Sequence, residues 1–199
     1  IGKQAPGTML HEGIATSYSS KREEALKQKG VHLVAASPAG NAKGEAQATL
    51  AMVEIADFIS NPRLAEEVFG PYSMLVKGSA ISELTEALEQ LPGQLTITII
   101  GNDDDFEKYE TFIDAVREKA GRVIINGVPT GVEVCPSMHH GGPFPSTTDS
   151  RFTSVGTDSI RRFVRPVCFQ NFPQRLLPEE LKDGNPAGIW RLVNSNWIK

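Results

Sequence analysis

Residues 72–125 read YSMLVKGSAISELTEALEQLPGQLTITIIGNDDDFEKYETFIDAVREKAGRVII, and this stretch decides the fold. Tyr72 to Val76 is a short apolar run suited to a strand. Ile81, Leu84, Leu88 and Leu91 then recur at helical spacing, with Ser79 or Ser82 available as N-cap and Pro92-Gly93 as the stop. Leu95 to Ile100 is β-branched and nearly all apolar or Thr, as a strand covered on both faces should be. Asp103 to Asp105 are expected to cap a second helix carrying Phe106, Tyr109, Phe112, Ile113 and Val116 on one face, ended by Gly121. Val123 to Ile125 follows as another buried strand. Strand, helix, strand, helix, strand with short connections predicts an α/β fold with two right-handed crossovers, a parallel βαβαβ core.

Upstream of this core, Gly13 to Lys29 has helical periodicity, with Ile14, Tyr18, Ala25 and Leu26 near one face and Gly30 placed to end it. Val31 to Ala36 and Gln47 to Glu54 read as strands. Phe58 and Ile59 anchor a short turn before Asn61-Pro62, and Leu64 to Val68 reads as one helical turn ended by Phe69-Gly70-Pro71. Downstream of Asn126, periodicity is lost. Gly127 to Gly156 is rich in Gly and Pro around His139-His140-Gly141-Gly142-Pro143-Phe144-Pro145. A loop of this length in a compact domain is usually functional or disordered. It also leaves the C-terminal end of a parallel strand, where open α/β sheets place ligands. Thr157 to Phe163 reads as a short helix and Val164 to Phe169 as a strand that Pro166 confines to a sheet edge.

Composition excludes several classes. The chain has 199 residues, 40% hydrophobic and 22% charged, enough for a core and unlike a disordered segment. No apolar run reaches the roughly 18 residues of a membrane span. The 20 Lys and Arg against 24 Asp and Glu are dispersed, which argues against a nucleic-acid partner. Two cysteines are too few for a disulfide framework and suit a reducing cytoplasm. The chain opens on Ile1 without a signal or transit pattern. Trimming or processing would account for the missing methionine, as would its being a piece of something longer.

Candidate chemistry is sparse. Cys135 precedes His139 and His140 by four and five residues, yet no third orienting group can be named, so it reads as a loop thiol. Cys168, in an apolar edge segment, reads as structural. Adjacent histidines do not converge on one ion, and HxxxH, HExxH and CxxC are absent, so no metal site is expected. GGPFPSTTD lacks GK[ST], and no GxGxxG follows a strand, so a phosphate loop or dinucleotide fingerprint is not in this chain. Glu66-Glu67 before Val68-Phe69-Gly70-Pro71 has a bland reading as a solvated helix end. The Phe-Gly-Pro stop instead aims one acid and one ring, a fair contact for a sugar hydroxyl and a flat base.

Asn61-Pro62, Leu64 and Glu66-Glu67-Val68-Phe69-Gly70-Pro71 resemble the NPxLxEEVFGP signature of the aldehyde dehydrogenase superfamily. Gly131 to Pro136, His140 to Thr147, Thr153-Ser154-Val155-Gly156, and Ile160, Arg162-Phe163 and Arg165-Pro166-Val167 are similar to its NADP-type branch. That branch holds 2-oxoglutarate semialdehyde (2,5-dioxovalerate) dehydrogenases and bacterial fatty aldehyde dehydrogenases. The resemblance implies oxidation of an aldehyde to a carboxylate through a cysteine thioester, with NADP or NAD as hydride acceptor. The family's nucleophile, general base, oxyanion asparagine and dinucleotide-binding segment have no matching positions here. The chain is thus expected to be a C-terminal portion that is inactive alone, with no catalytic residue of its own. By the same resemblance, Glu67 holds the nicotinamide ribose and Phe69 packs against the nicotinamide. His140 walls the aldehyde tunnel, with Phe144 close by. His140 stands where phenylalanine is commoner in the family, and would tune thiol ionisation or coenzyme choice. Residues 1–163 would belong to the catalytic domain, and 164–199 would hold the oligomerisation strand and tail, Val164 to Phe169 extending a partner's sheet in a homo-oligomer. A non-catalytic α/β assembly module is the competing class.

Overall fold

The computed structural model describes residues 1–40, 42–129 and 131–199. They divide into two compact units, residues 1–162 and 163–199.

The first unit opens with β1 (Gly7–Thr8) and α1 (Glu12–Leu26). The His11 ring Nδ1 accepts from Gly13 N at 2.9 Å and caps α1, a role that its sequence context did not advertise. Gly30, at φ +78°, turns the chain into β2 (His32–Ala36). Next come β3 (Glu45–Ala46), β4 (Thr49–Glu54) and α2 (Ile55–Ser60), the last where only a turn was expected. A single 3-10 turn, Pro62–Ala65, then leads to β5 (Tyr72–Lys77). The predicted helical turn from Leu64 to Val68 therefore stops at Ala65. Glu66 is already extended (φ −71°, ψ 139°), because the Asn61 cap and Pro62 nucleate only one tight turn.

The strong helical periodicity gives α3 (Ile81–Gln90), followed by β6 (Gln94–Ile99). Neither serine caps α3. The Glu83 carboxylate instead reaches back and accepts from the backbone N–H groups of Ser79 (2.8 Å) and Ala80 (3.0 Å). The second crossover is two helices, α4 (Asp103–Lys108) and α5 (Glu110–Lys119), broken at Tyr109, which departs from helical backbone angles at φ −114°, ψ 28°. Asn102 caps α4 in place of the aspartates: its Oδ1 accepts from Asp105 N, and Asp105 Oδ2 accepts from Asn102 N. β7 (Ala120–Ile125) starts immediately after α5, so Gly121 lies in the strand and does not end the helix.

The α/β class and its parallel pairings hold, but the single βαβαβ sheet does not. β4 and β5 pair in parallel, with β2 antiparallel on the far side of β4. β6 and β7 form a separate parallel pair, and among the described residues no ladder joins β5 to β6. A right-handed crossover fixes direction and leaves adjacency open, and successive strands are neighbours only about two-thirds of the time. Helix α3 packs against both α2 and α5 and so links the two halves of the divided sheet. The core gathers Val53, Ile55, Phe58, Leu64 and Ala87, with Met74, Val76 and Leu91 against it. β4 supplies the deepest positions, Thr49, Ala51 and Val53 alternating inward as its period of two requires.

Residues Thr157–Arg162 form a 3-10 helix at the end of this unit. In the second unit, Val164 to Phe169 is not a strand. A strand has no hydrogen bonds of its own, Pro166 lacks an N–H, and no neighbouring strand among the described residues offers it a ladder. The strands there are β8 (Arg191–Val193) and β9 (Asn196–Ile198), a hairpin pairing Leu192 with Trp197. Asn194 and Ser195 both take positive φ at its turn, the conformation that a two-residue hairpin loop demands.

Candidate active-site cleft

The 3-10 turn before β5 aims the acid pair. Asn61 Oδ1 accepts from Arg63 N (3.3 Å), and Leu64 sinks into the core, so the chain leaves the turn anchored. Glu66 and Glu67 then run extended with exposed side chains, and Phe69 shows 60% of its surface. From α1, Lys21 Nζ donates to Glu67 O at 3.4 Å. Glu66, Glu67 and Phe69 line a cleft of ≈ 980 Å³, whose opposite wall is the start of β6, Gln94 to Thr96. Pro145, Ser146 and Lys21 also line it, as do Pro62, Ala65, Gln90, Pro92 and Gly93. The Glu67 carboxylate has no ion-pair partner among the described residues.

The Gly/Pro-rich loop reaches this cleft by an unexpected route. It leaves the C-terminal end of β7, but its His140 to Ser146 segment returns to the opposite, N-terminal ends of β6 and β7. A Cβ built on Gly121 would sit 1.8 Å from Gly141 O, one on Gly93 2.2 Å from Pro143 O, and one on Gly142 2.5 Å from Gln94 O. Three glycines thus let two backbones touch. Polar side chains pin the return. Buried Thr153 accepts from His140 N (2.8 Å) and donates to Val155 O (2.7 Å), while Ser154 N donates to His140 O (3.0 Å). Thr147 Oγ1 donates to Gly142 O (2.9 Å), and Ser146 Oγ to Pro143 O (2.6 Å).

Among the expected site residues, the structure brings Glu67 and Phe69 together in the cleft. His140 and Phe144 do not line it. His140 is half-buried, and Phe144 is 78% exposed beside the lining Pro145. Cys135 is half-buried, with its sulfur 3.4 Å from Ser137 Oγ, and Cys168 is exposed. Among the described residues no group of three or more His, Cys, Asp or Glu could hold a metal ion, and no helix is long and apolar enough to cross a membrane. Sequence reading passed over Lys21 and Gln94 to Thr96. The helical offset of three from Tyr18 to Lys21 was the available signal for the first, and nothing local marks the second.

The fold is similar to those of solved aldehyde dehydrogenases. The Δ1-pyrroline-5-carboxylate dehydrogenase of Mycobacterium tuberculosis, solved with NAD, superposes with a TM-score of 0.59 over 75% of this chain and 26% of its own, at 18% identity. The salicylaldehyde dehydrogenase of Pseudomonas putida G7 gives 0.59 over 84% of this chain and 33% of its own, at 20% identity. No family model matches the chain. Curated relatives are nearer in sequence. The chain is 46% identical over 190 residues to the alpha-ketoglutaric semialdehyde dehydrogenase of Acinetobacter baylyi, and 42% over 192 residues to alpha-ketoglutaric semialdehyde dehydrogenase 2 of Azospirillum brasilense. These matches cover 95% and 96% of this chain but only 36% and 37% of those enzymes. The chain is homologous to aldehyde dehydrogenases over nearly its whole length and spans about a third of the relatives it matches.

Proposed function

We propose that this chain is the C-terminal portion of an aldehyde dehydrogenase that oxidises alpha-ketoglutaric semialdehyde with NADP or NAD in the cytoplasm. Residues 1–163 would complete its catalytic domain, and 164–199 would hold its oligomerisation segment and tail. The observation that carries the reading is a cleft in which Glu67 and Phe69 project together, on a chain 46% identical to a named alpha-ketoglutaric semialdehyde dehydrogenase.

The exposed acid and ring suit the nicotinamide end of a dinucleotide, a pair of ribose hydroxyls beside a flat base. When bound, that group supplies an acceptor for the hydride leaving the aldehyde carbon. Glu67 accepts hydrogen bonds from the ribose hydroxyls, charge-assisted and therefore stronger than neutral ones. Phe69 covers one face of the base and keeps water from it. The His140-Gly141-Gly142 segment, held by Thr153 and by its contact with β7, lies outside the cleft lined by Glu67 and Phe69 and would wall the aldehyde tunnel of the complete enzyme, with Phe144 close by. By the family resemblance, the His140 imidazole would lie near the nucleophilic thiol of the complete enzyme and tune its ionisation or the choice of coenzyme. Val164 to Phe169 gains its ladder from a partner protomer's sheet, which accounts for its irregular backbone in an isolated chain.

The test is complementation. The purified chain is expected to show no NADP- or NAD-dependent oxidation of the semialdehyde. Joined behind the preceding residues of the Acinetobacter enzyme, it should restore turnover and assemble as an oligomer by light scattering. In that chimaera Glu67→Gln should raise the dinucleotide KM about tenfold, the loss of one charged hydrogen bond. A folded chimaera without turnover, or turnover by the chain alone, would overturn the reading.

A further inference from the structure

The acid and ring of the cleft stand on an irregular segment, Glu66 to Pro71, which no sheet or helix of its own holds in place. One buried side chain holds its far end. Tyr18, on α1, is 1% exposed. Its hydroxyl donates to Gln47 O at 2.6 Å and lies 3.2 Å from Pro71 O, while Pro71 O also accepts from Thr49 N at the start of β4. Its ring lies against Gly70. A Cβ on Gly70 would fall 2.4 Å from Tyr18 Cδ2, and Gly70 takes φ +151°, a region that side chains rarely adopt. One helical turn on, Lys21 reaches Glu67 O, and Arg22 Nε donates to Thr49 Oγ1. Tyr18, Lys21 and Phe69 also share a smaller hollow of ≈ 260 Å³ beside α1.

We infer that Tyr18 is a positioning residue for dinucleotide binding: its ring against Gly70 and its hydroxyl on Pro71 set the direction in which Phe69 and Glu67 enter the cleft. The inference rests on the clamp role proposed for those two residues. Tyr18 is buried behind the cleft and does not line it. A flexible segment would have to be ordered when the dinucleotide binds, and that entropic cost would weaken affinity. Tyr18 removes it by ordering the segment beforehand. The left-handed turn at Gly70 is what lets the ring come close enough to do so.

The test uses the active chimaera with Tyr18→Leu, which removes ring and hydroxyl, and Tyr18→Phe, which keeps the ring and loses the hydroxyl. Val116→Ala, buried on α5 away from this segment, serves as the control for general destabilisation. Tyr18→Leu should raise the dinucleotide KM about tenfold and Tyr18→Phe about threefold, with the aldehyde KM and kcat within about twofold. Val116→Ala should lower Tm and leave the dinucleotide KM unmoved. In the 199-residue chain, hydrogen exchange over residues 66–71 should quicken in both Tyr18 variants and not in the control. Should Tyr18→Leu fail to fold, Tyr18→Phe decides. The inference is overturned if both Tyr18 variants keep the dinucleotide KM of the parent while Glu67→Gln and Phe69→Ala raise it. If those two also leave it unchanged, the clamp role has failed, and the Tyr18 role with it.

Discussion

At Gly121 the loop and the strand meet backbone to backbone, and neither side has a flexible atom to give way. A methyl there would lie 1.8 Å from a carbonyl oxygen, far inside any real contact. We expect Gly121→Ala to destabilise the chain by about 2–4 kcal/mol in urea denaturation, the range of severe overpacking. Gly7→Ala, with nothing within 4 Å of its added carbon, should change stability by less than about 0.5 kcal/mol. On the same loop, hydrogen bonds from Arg151 hold the Asp149 carboxyl well below the usual carboxylate range, down to about 2. A lowered folded-state value means that the pair's stabilisation is present above the unfolded carboxyl's range near 3.8 and is lost as pH falls through about 2. NMR titration should therefore find Asp149 still ionised near pH 3, and Arg151→Gln should return it toward its ordinary value. Arg151 is exposed and Asp149 partly so, and the same substitution should leave the urea midpoint at pH 7 nearly unchanged.

Single elements show how far local pattern carries. The spacing Ile81, Leu84, Leu88, Leu91 announces α3 by its apolar stripe, of which the structure buries Leu88 to 6% exposure, half-buries Ile81 and Leu91 and leaves Leu84 exposed. The first turn of α3 was harder to read, since its two candidate serines are passed over for a glutamate three residues inside the helix. The N–H groups of Ser79 and Ala80 hold the Glu83 carboxyl below its usual range. Its contribution is accordingly present above the ordinary glutamate range and lost as pH falls through the lowered value. Glu83→Gln should lower Tm at pH 7, and the difference should narrow as the solution is acidified toward pH 3. The break at Tyr109 escaped because both halves share one apolar face, and periodicity does not register a local change in φ and ψ. Val164 to Phe169 misled for a different reason. Its composition reports a capacity to pair, and pairing requires a second strand that composition does not supply.

At the scale of the molecule, the helices, strands and the Glu67–Phe69 motif were legible because each depends on neighbours close in sequence. Which strands would share a sheet was not, since that depends on contacts across tens of residues. The return of the His140 segment to the far ends of β6 and β7 was hidden likewise. The glycines that permit it, Gly93 and Gly121, look in sequence like ordinary helix stops. The divided sheet has a thermodynamic consequence. β4 buries Ala51 and Val53 completely, whereas the β6–β7 pair buries only Ala120 among its hydrophobic side chains. With no ladder between the halves among the described residues, opening one need not break the backbone bonds of the other. Native-state hydrogen exchange should therefore resolve two tiers of protection, with amides of β6 and β7 exchanging through openings of lower free energy than those of β4 and β5. A single tier would mean that helix α3 alone welds both halves into one cooperative unit, so that the unfolding of this chain is governed by its helices more than by its strands.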